Sequence, residues 1–127
     1  MDAKNLKVML LDLGSLKSVK SFADSFQKSY SKLNILINNA GIMGLDEYTL
    51  STDGVESQFA VNNLGHFYLT QQLTPLLITS SSSSAVSRVI NTASAAYLGS
   101  PYDIKSWIQS QDRMRDKTQY SPMRQYG

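Results

Sequence analysis

Apolar positions along the chain alternate between short runs and helical stripes. Leu6 to Leu13, LKVMLLDL, is a mostly apolar run closed by Gly14. Its length and flanks predict a buried strand. Ser15 follows as a candidate N-cap, and Leu16, Val19, Phe22, Ala23 and Phe26 then recur at three- and four-residue steps, opposite Lys17, Lys20, Asp24 and Lys28. That spacing predicts an amphipathic helix with one face in the core. A second apolar run, Leu33 to Ile37, stops at Asn38, Asn39, Ala40 and Gly41, turn-forming residues that predict a strand end.

From Asp53 to about Leu77 the helical period returns, with Val55, Phe59, Asn62, His66, Leu69 and Leu73 on one stripe and Pro75 predicting a bend or an end. Ser80 to Ser84 reads as a solvated loop. Arg88 to Ala93, RVINTA, predicts a third strand that ends at Ser94, and Gly99, Ser100 and Pro101 then break regular structure. Beyond Tyr102 the pattern is irregular, with a short helix expected around Trp107 to Met114. Ser121 and Pro122 predict another helix start by N-cap and first-turn proline. Strand, helix, strand, helix, strand is the alternation of an α/β fold with a parallel sheet covered on both faces by helices. At 127 residues the chain holds one domain, so these elements share one core.

Composition narrows the function. With 42% apolar and 17% charged residues the chain is of ordinary globular type rather than disordered. Twelve basic and ten acidic side chains leave a formal charge of +2 without a basic run, which argues against nucleic acid or an anionic membrane as partner. The absence of cysteine excludes disulfides, thiolate nucleophiles and cysteine-held zinc, and a single histidine leaves little for other transition metals. The first residues have too short an apolar run for a signal peptide, and no run approaches the roughly 18 apolar residues of a membrane span. A soluble piece, cytoplasmic by default, is the expectation.

In sheets of this kind ligands collect beyond the carboxyl ends of the strands, where Asp12, the Asn38 to Gly41 turn and Ser94 all fall. Taken singly, Asp12 is also a plausible helix-start acid and Asn-Asn-Ala-Gly a plain turn. Asn62 stands out because an unpaired amide on an apolar stripe costs about 1–3 kcal/mol, so it needs a partner, either a nearby backbone carbonyl or a functional group. His66, one turn later, reads as a packed helix histidine.

Four segments, LLDLGSLKSVKSFA, LNILINNAGIM, FAVNNLGHFYLT and RVINTAS, resemble in order and approximate spacing successive motifs of the short-chain dehydrogenase/reductase family. The match covers most of residues 6 to 94. The resemblance implies the central part of a Rossmann-like doubly wound sheet, truncated at both ends, with residues 1–127 a partial NAD(P)-binding domain. It implies hydride transfer between NAD or NADP and a small-molecule carbonyl or alcohol. Asp12 and Leu13 would flank the adenine end of the dinucleotide, and Asn39, Ala40 and Gly41 its adenosine side. Asn62 would hold a helix backbone open around a water in the proton relay, Ser94 would hydrogen-bond the substrate oxygen, and Tyr126 would be the general acid or base. Tyr120 competes with Tyr126 but precedes the Ser121–Pro122 helix start.

Two family features are not found: the glycine-rich turn that receives the pyrophosphate has no counterpart before Leu6, and the lysine that favours the phenolate would fall three residues beyond Gly127. The 127 residues alone are therefore expected to be inactive, and a non-catalytic fragment or interaction module is the alternative. The 32-residue separation of Ser94 from Tyr126 resembles the retinol dehydrogenase and WW-domain-containing oxidoreductase branch, which slightly favours NADP. A homo-oligomeric parent stays open, as do the substrate and the direction of reaction.

Overall fold

A computed structural model describes residues 6–99 and 117–120. Its first helix, α1 (Leu16–Ser29), begins where Ser15 Oγ accepts the Ser18 amide and ends where the Tyr30 amide reaches Phe26 O. Asp53 Oδ2 accepts the Leu16 amide, so two side chains satisfy first-turn donors that the helix cannot satisfy itself. As the stripe predicts, Val19 and Ala23 are fully buried, with Phe22 and Phe26 packed around them.

The strands β1 (Ile35–Asn38) and β2 (Arg88–Asn91) pair in parallel, Ile35 opposite Arg88 and Asn38 opposite Asn91. Between them runs a helical stretch in three parts: α2 (Ser57–Phe59), a π-helical turn at Ala60–Gly65, and α3 (His66–Ser80). Pro75 neither ends nor interrupts α3, which continues to Ser80. Its missing N–H leaves only the carbonyl of Gln71 without its helical donor, and Gln71 is exposed to water. The helix start also differs from expectation. The helical period in the sequence runs from Asp53, but the chain from Leu50 to Glu56 closes on itself by an antiparallel bridge and the helix starts after Glu56, whose carboxylate caps it by accepting the Gln58 and Phe59 amides at 3.0 and 2.7 Å.

Leu6 to Leu13 is not a strand. A strand exists through its ladder, and the sheet among the described residues consists of β1 and β2 alone. The period-2 pattern survives without it: Leu11 and Leu13 pack on the core, while Leu6, Val8 and Leu10 are 74%, 87% and 95% exposed. The core joins Leu13, Val19, Ala23, Leu69 and Leu73, so α1 and α3 lie on one side of the sheet. Ile35, Ile37 and Ile90 face away from them and are exposed. Among the described residues no helix is long and apolar enough to cross a membrane. The helices expected around Trp107 to Met114 and from Ser121 lie outside the described residues.

The serine run is ordered by its own hydroxyls. Ser80 Oγ accepts the Leu33 amide at 2.8 Å and donates to Leu76 O, Ser81 Oγ accepts from Ser87 N, and Ser82 Oγ from Ala85 N. Ser80 thereby ties the end of α3 to the residues that lead into β1.

Candidate functional site

Parallel pairing brings the carboxyl ends of β1 and β2 side by side. Asn38 is buried at this edge, its amide donating to Thr70 Oγ1 on α3 at 3.0 Å and to Asn91 Oδ1 on β2 at 2.8 Å. One residue further, Thr92 Oγ1 donates to Asn39 Oδ1 at 2.9 Å. These bonds satisfy the amide nitrogen of the buried Asn38, whose Oδ1 has no partner among the described residues, and hold the two strand exits side by side. Neither strand's periodicity could have revealed them, because they depend on which strand is the neighbour.

Beyond Asn38 the chain turns through Asn39, Ala40 and Gly41, and the helix grips it twice. Asn62 Oδ1 accepts the Ile42 amide and Asn62 Nδ2 donates to Ile42 O, each at 2.8 Å. One turn on, His66 Nε2 donates to Ala40 O at 2.7 Å, and the buried Nδ1 of the same ring has no partner among the described residues. Asn62 thus finds the backbone carbonyl that its position demanded, and the backbone amide as well. Gly41 leaves the space this needs, since a Cβ there would stand 3.2 Å from Asn62 Oδ1.

Asn62 sits inside the π-helical turn. Such a turn widens the helix by one residue and is frequent at functional sites. Gly65 closes it against Leu13: a Cβ at Gly65 would meet Leu13 O at 2.4 Å and Leu13 Cβ at 3.0 Å. Leu13, Ala40, Gly41 and Asn62 are in this way assembled around one helical turn. Gly65 was missed from sequence, although a glycine inside a helical stretch is itself a sign of close backbone approach.

Asp12 Oδ1 accepts the Gly14 amide at 2.9 Å, and the Asp12 amide donates to Ser18 Oγ at 3.0 Å. Asp12 therefore shapes the turn into α1, while its side chain stays exposed at the same end of the fold as the Asn39–Gly41 turn. Ser94, two residues past Thr92, is exposed, and its Oγ accepts the Ala96 amide at 3.2 Å at the start of a 3-10 turn, Ala95–Gly99. No hydrogen bond joins Ser94 to Asn62. Tyr126 lies outside the described residues.

A further polar cluster flanks the turn. Gln58 is fully buried; its Oε1 accepts the Gly44 amide at 2.9 Å and its Nε2 donates to the Tyr120 hydroxyl at 3.2 Å. That hydroxyl donates in turn to Leu45 O. Burial holds the Tyr120 phenol above its ordinary value of 10.0, and the nearby Glu56 carboxylate acts in the same direction, against the opposing hydrogen bond from Gln58. Tyr48 meets Tyr120 edge-on, with ring centroids 5.3 Å apart. Among the described residues no group of three or more His, Cys, Asp or Glu side chains could hold a metal.

The family model for short chain dehydrogenase matches residues 2–103. Retinol dehydrogenase 12 of Mus musculus is 46% identical over 99 residues, which are 76% of this chain and 30% of that protein. Among solved structures, an uncharacterised protein of Mycobacterium paratuberculosis superposes with a TM-score of 0.71 at 36% identity, covering 94% of this chain and 38% of its own. The Pseudomonas aeruginosa RhlG/NADP active-site complex superposes with a TM-score of 0.58 at 34% identity, over 69% of this chain and 35% of its own. The chain thus spans about a third of the length of these relatives. With the parallel strands, the paired strand exits and the gripped turn in place, the chain belongs to the short-chain dehydrogenase family, and its fold is a partial Rossmann-type α/β unit.

Proposed function

We propose that this chain is part of an oxidoreductase that transfers hydride between a nicotinamide dinucleotide and a carbonyl or alcohol, with residues 1–127 contributing a partial dinucleotide-binding domain. The carrying observation is the pair of hydrogen bonds by which Asn62, within the π-helical turn, holds both backbone groups of Ile42. A side chain that fixes the loop from one wall of a widened turn suits a residue that keeps a helix open for a relay. Asp12, Leu13, Asn39, Ala40 and Gly41 line the dinucleotide, and Gly41 admits close backbone approach. The NADP in the Pseudomonas complex supports this class of cofactor, and between the two dinucleotides we slightly favour NADP.

Ser94 positions the substrate oxygen and Tyr126 moves the proton. Tyr120 is the poorer proton donor: its hydroxyl is engaged by Gln58 and Leu45, and burial beside Glu56 disfavours its phenolate, opposite to what a neutral-pH relay requires. When bound, the dinucleotide supplies or accepts the hydride, and these side chains orient the substrate and handle the proton.

A second reading is that the 127 residues by themselves are a non-catalytic piece. The segment Leu6 to Leu13, which joins no sheet among the described residues, and the one-third coverage of the relatives favour it for the isolated chain. Fluorescence titration with NADPH and NADH separates the two: no saturable binding is expected for the 127 residues, and micromolar affinity would refute that expectation. In a protein of the relatives' length, carbonyl-dependent oxidation of NADPH is expected. Ser94→Ala and Tyr126→Phe should each lower kcat by about a hundredfold or more. Full turnover in both variants would overturn the assignment.

A further inference from the structure

We propose that Gln58 is a positioning residue that couples the loop after the Asn39–Gly41 turn to the segment ending at Tyr120, six residues before Tyr126 in the sequence, so that turnover depends on a side chain with no assigned role. The inference rests on the hydride-transfer reading above and adds to it a residue with no assigned role. A fully buried primary amide on a helix is costly unless both of its ends are used. Here both are, and each end holds a different segment: Oε1 the Gly44 amide, Nε2 the Tyr120 hydroxyl.

The platform beneath Gln58 is rigid. Glu56, 2% exposed, caps the helix with both oxygens, on the backbone amides of Gln58 itself and of Phe59. The Ser57 amide donates to Thr49 O and the Ser51 amide to Val55 O, which fold the preceding loop against the same helix start. On the loop side, Gly44 has φ +67, a left-handed conformation that glycine adopts at little cost, and it delivers its N–H to Gln58. On the far side, Tyr120 spans the gap by donating to Leu45 O, the neighbour of Gly44, so the two held segments also bond each other. Gln58, Gly44–Leu45 and Tyr120 form a closed ring of hydrogen bonds. Moving any one member disturbs the other two.

The ring lies four residues along the helix from Asn62, which fixes Ile42, two residues before Gly44. The Gln58–Asn62 stretch therefore holds Ile42 and Gly44 on one side and Tyr120 on the other. Gln58 acts through these segments and touches no reacting atom.

Amide hydrogen exchange tests the coupling in the 127-residue chain, with the Val19 amide of α1 as internal reference. Gln58→Met keeps the side-chain length and removes both bonds. It should speed exchange at Gly44 by about tenfold relative to Val19, the equivalent of one hydrogen bond. Tyr120→Phe removes only a hydroxyl and retains the ring, so it tests the same point if the first variant folds poorly. It should also speed exchange at Gly44, although Tyr120 does not bond that amide. An unchanged Gly44 rate in Tyr120→Phe overturns the coupling.

In a protein of the relatives' length, both variants should lower kcat by about tenfold while the KM for the dinucleotide stays within about twofold. Unchanged kcat overturns the positioning role even where Gly44 exchange has risen. Absence of turnover in the unaltered protein overturns the hydride-transfer reading, and the positioning role with it, whereas the exchange result judges the coupling independently.

Discussion

Asn62 pairs both backbone groups of Ile42, accepting from its N–H and donating to its C=O at 2.8 Å each, so one side chain imitates a strand partner for a residue that has none among the described residues. Asn62→Leu would leave both groups unpaired and should destabilise the fold by about 2–4 kcal/mol. Asn62→Asp keeps the acceptor for the Ile42 amide but places an oxygen against its carbonyl, so it should recover only part of that loss. Urea unfolding of the three proteins checks the order; equal stability of Asn62→Leu and the unaltered chain would show that the turn is held by other contacts.

Tyr120 gives the fold an alkaline limit. Its folded pKa lies above the ordinary 10.0, chiefly through burial and then through the Glu56 charge. Below pH 10 both folded and unfolded forms are protonated and the contribution is fully present. Above it the unfolded chain loses its proton first, so stability falls as pH rises toward the folded value. Thermal melts between pH 8 and pH 11, approximate bounds chosen to bracket the phenol's ordinary range, should show a decline that is smaller in Tyr120→Phe. An identical decline in both proteins would place the alkaline sensitivity elsewhere.

Leu6, Val8 and Leu10 present three apolar side chains to solvent from a segment that joins no sheet among the described residues. Exposed extended segments of this kind recruit other chains edge to edge. Val8→Lys with Leu10→Lys should raise the monodisperse fraction of the 127-residue chain in size-exclusion chromatography without lowering its melting temperature, since neither side chain packs on the core. An unaltered chain that is already monodisperse and melts cooperatively would remove the premise.

Local chemistry made much of the fold legible. The Ser15 cap, the α1 stripe and the turn-formers after Ile37 each act within a few residues of themselves, and sequence carries such information directly. The strand expected at Leu6 to Leu13 failed because a strand also needs neighbours, which no local pattern records. Of the bend or end expected at Pro75, the end is absent: α3 runs on to Ser80, because the proline removes the helical donor of a single carbonyl, that of the exposed Gln71. Asn62 could be singled out by its wrong polarity for its stripe. Gln58 could not, because its two partners lie 14 and 62 residues away.

Gly65 offers the sharpest test of the assembled turn. Its missing Cβ lets the helix approach Leu13 so closely that an added methyl would lie 2.4 Å from Leu13 O and 3.0 Å from Leu13 Cβ, both on the same residue. Alanine favours helix over glycine by about 1 kcal/mol, so on propensity alone Gly65→Ala should stabilise. Overpacking a closed interface costs about 1–3 kcal/mol and here falls on backbone that cannot rotate away, so net destabilisation is expected. Gly41→Ala meets the side-chain amide of Asn62, its Oδ1 at 3.2 Å and its Cγ at 3.7 Å, and should cost less. Because Leu13 and Gly41 are both proposed dinucleotide contacts, both variants should weaken dinucleotide binding in a protein of the relatives' length, and Gly65→Ala should cost the more stability. Urea unfolding and NADPH titration of both variants decide the matter: a stabilised Gly65→Ala would mean that propensity, not contact with Leu13, governs this position.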